Sequence, residues 1–155
     1  MQAYNSLSTF PDVPPALEAI AKAEGIHAVV FSNGTNEMVS ASINLSPDLA
    51  RHASVFKETV TVEDVECFKP DPRVYYHLAA KVGKRRAEMG EIWLVSGNPF
   101  DVVGARAMGM KACWVDREGK GWVDELVESE KGRPTVIVRG LGEVIEAVRR
   151  SEGGT

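Results

Sequence analysis

Short apolar runs alternate along this chain with stretches whose apolar positions recur at helical spacing. Residues 14–24 read as a helix, with proline at its start, Leu17, Ile20 and Ala21 as its inward stripe, and Gly25 as its stop. The run IHAVVF, 26–31, reads as a buried strand, partly β-branched. Ser32-Asn33-Gly34 then turns the chain, and Thr35 or Asn36 can cap a helix reaching about residue 43. Ser46-Pro47-Asp48 opens a short helical piece, and residues 55–62 alternate as a strand.

The turn Phe68-Lys69-Pro70-Asp71-Pro72 is stiff, because two prolines fix φ and forbid helix just before Pro72. A helix follows to about Val82, with Val74, Leu78 and Val82 on one face and Gly83 as its end. Next come a strand at 91–95, a helix at 99–108 closed by Gly109, and a strand at 110–115. Residues 117–133 are charged and contain glycines, the pattern of a surface excursion. Strand 135–138, helix 141–149 and a frayed tail at 151–155 complete the reading.

Helices alternating with short continuous apolar strands indicate an α/β fold: a mostly parallel sheet covered on both faces, in one domain over residues 1–150. In such sheets ligands bind outside the carboxyl ends of the strands. Ser32–Gly34 and Ser96–Asp101 both follow a strand at once, where a site belongs.

Composition narrows the function. The chain has 155 residues, 44% hydrophobic and 26% charged, enough for a real core. A net charge of -4 argues against nucleic acid as the main partner. No apolar run approaches a membrane span, and the N-terminus lacks a signal-peptide pattern. Cys67 and Cys113 fit no zinc or redox spacing; buried free thiols in a cytoplasmic protein are expected.

Three polar clusters can carry chemistry. The segment LVSGNPFD offers Ser96, Asn98 and one acid, Asp101, where a magnesium site would normally need at least one or two carboxylates. Lys69 is a candidate cation for holding a carboxylate ionised, with Tyr75 on the following helix. Ser32 and Asn33 can hydrogen-bond an oxyanion or a substrate carboxylate without adding charge. Each alone also reads as an ordinary turn, a solvated lysine or a helix cap.

In order, strand–SNG, FKPDPRVY and strand–SGNPFD–VVGARAMGM resemble the haloacid dehalogenase superfamily, closest to its 2-haloacid dehalogenase branch. The resemblance runs from about Phe10 to the last helix, and KPDPRVY and LVSGNPFDVVGARAMGM are its most specific parts. It implies a three-layer α/β/α, Rossmann-like core. By resemblance, Lys69 balances the charge of a nucleophilic aspartate, Ser96, Asn98 and Asp101 complete the catalytic set, and Ser32, Asn33 and Tyr75 face the substrate. The branch uses no metal and no cofactor: it attacks carbon bearing halide, and needs an ionised carboxylate, a lysine and a positioned water.

The superfamily's nucleophile is an aspartate in a D-x-D or D-x-x-G-T setting at the end of a first, central strand. This sequence has no D-x-D, and Asp12 lies in the lead-in to a helix, not at a strand end. The reading is therefore a truncated core without that strand and without the helical cap, inactive in dehalogenation as this chain alone. A non-catalytic or repurposed protein that binds a small carboxylate or a protein partner is the alternative. Loss of the central strand leaves two open edges, at strands 26–31 and 91–95, and open edges invite other strands. Association, as a homodimer or otherwise, is expected to cover them.

Overall fold

The computed structural model describes residues 8–122 and 130–153. The chain parts into two compact units, Met1–Glu66 and Cys67–Thr155.

The first unit holds α1 (Val13–Lys22), β1 (Ala28–Ser32), α2 (Asn36–Leu45) and β2 (Phe56–Thr61), with a 3₁₀ turn at Ala50–Val55. β1 and β2 pair in parallel, from Ala28↔Phe56 to Ser32↔Thr61, with a register irregularity between Ala28 and Val29. A parallel pair needs a crossover, and α2 supplies it. Thr35 caps α2, its side chain accepting from the Met38 N–H at 3.2 Å. The start of α2 is tied to the end of β2, since Thr61 Oγ1 donates to Asn36 Oδ1 at 3.1 Å. Ala16, Leu17, Val39, Val60 and Val62 form the buried apolar positions of this unit. The inward stripe of α1 is thus Ala16 and Leu17; Ala21, expected inward, is exposed. The helix begins at Val13, one residue before the prolines, with both of them in its first turn.

The second unit contains α3 (Pro72–Lys81), β3 (Trp93–Ser96), α4 (Pro99–Ala107), β4 (Lys111–Val115), β5 (Val136–Val138) and α5 (Val144–Gly153). Its sheet has the order β3-β4-β5, parallel throughout. Alternate residues of β4 point to opposite faces. Cys113 and Val115 pack with Val138 and Val144 in one buried cluster, joined by Trp93, Val136, Leu141, Ala147 and Val148. Ala112 and Trp114 have the other parity, and α4 packs on β3 and β4. Asp71 caps α3 by accepting from the Arg73 N–H at 2.9 Å, and the Lys69–Pro70 bond before it is cis. Gly109, at φ 85°, ends α4, a conformation that glycine adopts without a Cβ penalty. α5 continues to Gly153, into the segment expected to fray. Of the expected excursion at 117–133, residues 123–129 lie outside the described set.

Candidate active site

β3 ends at Ser96 and α4 starts at Pro99, so two residues, Gly97 and Asn98, make the whole turn. Such a short connection leaves little choice of direction for the side chains at either end. The Asn98 N–H donates to Ser96 Oγ at 3.0 Å, which closes the turn on itself. Trp114, opposite Ser96 in the β4 register, donates from its indole to the Gly97 carbonyl at 3.4 Å. Asp101 stands in the first turn of α4, where the helix dipole favours negative charge.

Lys69 reaches this point from the turn before α3. Its Nζ donates to Asp101 Oδ2 at 3.1 Å, and both side chains are only 7% exposed. Ser96 Oγ donates to the same oxygen at 3.2 Å. Two donors thus converge on Oδ2. Oδ1 is buried and, among the described residues, has no hydrogen-bond partner. A charge-assisted pair of this kind is strong only where water is excluded, as it is here.

Tyr75 has no exposed surface. Its hydroxyl donates to the backbone carbonyl of Asp101 at 3.4 Å, a long contact. Burial first, and the Asp101 carboxylate second, hold its phenol well above the ordinary tyrosine pKa. The structure therefore brings Lys69, Ser96, Asn98 and Asp101 together, with Tyr75 packed beneath them. Asn98 is exposed, and its side chain does not cap α4. Ser32 and Asn33 close β1 in the first unit, where Ser32 Oγ accepts from the Gly34 N–H at 3.0 Å. Among the described residues no group of three or more His, Cys, Asp or Glu side chains is placed to hold a metal ion.

Two contributors escape a reading of the sequence. Trp114 looks like core within an apolar strand, and its indole contact depends on strand register. Gly104 looks like one more small residue in GARAMGM, yet glycine inside a helix is itself a sign of close approach.

The profile of haloacid dehalogenase-like hydrolases matches residues 1–115. The chain belongs to that family. Among curated members, (S)-2-haloacid dehalogenase H-109 of Pseudomonas putida is 36% identical over 143 residues, covering 92% of this chain and 58% of the relative. The (S)-2-haloacid dehalogenase of Pseudomonas sp. (strain YL) is 31% identical over 155 residues, covering 97% of this chain and 60% of the relative. The haloacid dehalogenase-like fold is also evident in a solved structure. L-2-haloacid dehalogenase from Xanthobacter autotrophicus, with chloropropionic acid covalently bound, superposes with a TM-score of 0.76 at 27% identity, covering 96% of this chain and 64% of that one. The chain spans about 58% of the length of the Pseudomonas putida relative. Among the described residues, no helix of this family member is long and apolar enough to cross a membrane.

Proposed function

We propose that this chain carries the core of a metal-independent, dehalogenase-type hydrolase acting on small 2-haloacids. One observation carries the reading: a buried carboxylate, Asp101, takes Lys69 and Ser96 on Oδ2 and, among the described residues, keeps Oδ1 without a partner, at the carboxyl end of a parallel strand. In the reaction a carboxylate nucleophile attacks C2 of the haloacid; the carbon–halogen bond breaks, halide leaves and an ester forms. Water then adds to the ester carbonyl, and the 2-hydroxy acid and the free carboxylate are released. Lys69 supports the anionic charge, and Asp101 Oδ1 is the acceptor left for a water. Ser32 and Asn33 take the role their motif implies, hydrogen bonding to a carboxylate. Free, buried Cys67 and Cys113 suit a reducing compartment such as the cytoplasm.

The nucleophile is the part this sequence does not offer, since it contains no D-x-D. This chain alone is expected to release no halide from (S)-2-chloropropionate. Turnover by the isolated chain that survives both Asp12→Ala and Asp101→Ala would remove the proposal. The buried Lys69 cation also supports a non-catalytic reading, binding of a small carboxylate. Calorimetric titration with lactate tests it, and no heat at millimolar ligand would dismiss it. β1 and β3 each carry a ladder on one edge only among the described residues. Association with a second copy, a homodimer, is the proposed cover for those edges.

A further inference from the structure

We propose that Gly104 and Tyr75 act as a positioning pair: the missing Cβ of Gly104 seats the Tyr75 ring, and that seat fixes Asp101 against Lys69. Gly104 lies three residues after Asp101 on α4, so the two share a face of the helix. A Cβ at position 104 would fall 2.7 Å from Tyr75 Cζ and 2.9 Å from Pro70 Cβ, with the Tyr75 hydroxyl closer still. Real side chains do not tolerate such distances, so α4 approaches α3 and the Lys69–Pro70 turn this closely only through glycine. The Tyr75 ring and Pro70, the residue following Lys69, both approach the space that the missing Cβ leaves. That space therefore sets how closely α4 meets the segment that carries Lys69.

This assigns Tyr75 to positioning rather than to substrate contact. Its hydroxyl is turned to the Asp101 backbone, and no part of the side chain is exposed. The inference rests on the dehalogenase-type reading for its purpose, because that reading gives the Lys69–Asp101 pair its work. The pair itself can be observed without any ligand.

The test uses the full chain with labelled aspartate and lysine. The Asp101 carboxyl ¹³C and Lys69 Nζ ¹⁵N resonances are recorded beside Tm in the wild type, Gly104→Ala and Tyr75→Leu. Gly104→Ala is expected to lower Tm by about 3–10 °C, the usual result of overpacking a domain of this size, and to displace both resonances. In Tyr75→Leu the ring is removed while Gly104 and Pro70 stay as they are, and both resonances are again displaced because the seat has lost its occupant. Resonances that keep their wild-type positions in Tyr75→Leu would make Tyr75 mere filler and overturn the proposal. Unmoved resonances in Gly104→Ala would do the same. Should Gly104→Ala fail to fold, Tyr75→Leu alone decides, on the same criterion. A failed lactate titration would count against the binding reading and leave these resonances as they are.

Discussion

Lys69 and Asp101 meet with little water around them, so their pairing is best judged by what the loss of one partner would leave behind. Lys69→Met strands a buried carboxylate and is expected to cost about 3–5 kcal/mol in urea unfolding. Lys69→Met with Asp101→Leu should recover much of that loss, since an apolar pair of similar volume needs no solvation. Equal destabilisation in single and double variants would show that the pair is not coupled. Asp71 gives a second, pH-dependent prediction. Its carboxyl is held at about 2, below the usual 3.8, chiefly by the Arg73 guanidinium and then by the Arg73 backbone N–H. The unfolded chain therefore binds this proton more readily than the folded one. The contribution to stability is complete above about pH 4 and is lost as pH falls through about 2. Both groups are solvated, so the effect is small. Asp71→Asn should flatten that part of the Tm–pH profile; an unchanged slope would place the acid sensitivity elsewhere. That Ser96 and Asp101 lie close was legible, because they form a polar cluster after an apolar strand; Lys69, in the proline turn, entered through the family resemblance. Gly104 was not, because its meaning lies in what occupies the space it leaves.

Elements were easier to recognise than to delimit. The run IHAVVF reads as a strand from residue 26, but the ladder starts at Ala28, where β2 begins to face it. Similarly, residue 92 is apolar, while β3 starts at Trp93 opposite Lys111. Apolar runs record burial; strand ends record where a partner is present. On α1 the buried positions are Ala16 and Leu17, a pair that i, i+4 counting from Leu17 misses. Capping was readable from chemistry alone, and Thr35 does cap α2. Thr35→Ala is expected to cost about 1 kcal/mol, and Thr35→Ser almost none, by thermal unfolding. Equal losses in both would mean that the methyl group, not the hydroxyl, matters.

The order of helices and strands was enough to indicate parallel α/β architecture, since parallel strands require crossovers and the helices supply them. Family membership follows from residues 1–115 and accords with the SNG, FKPDPRVY and SGNPFD segments. What lies along the second edges of β1 and β3 was not legible, because unpaired backbone leaves no mark in side-chain patterning. Sedimentation velocity should show a dimer whose fraction rises with protein concentration. A single monomeric species at every concentration would count against association of copies.

The hydrogen bonds at Ser96 run one way. An amide N–H can only donate, so Asn98 occupies a lone pair of Ser96 Oγ and commits the single hydroxyl proton to Asp101 Oδ2. Lys69 also brings only protons to that oxygen. Every proton that these groups offer the carboxylate thus arrives at Oδ2, and Oδ1 is left, among the described residues, as a buried acceptor with no donor. The turn of two residues after β3 makes the carboxylate lopsided, one oxygen doubly engaged and the other held in reserve.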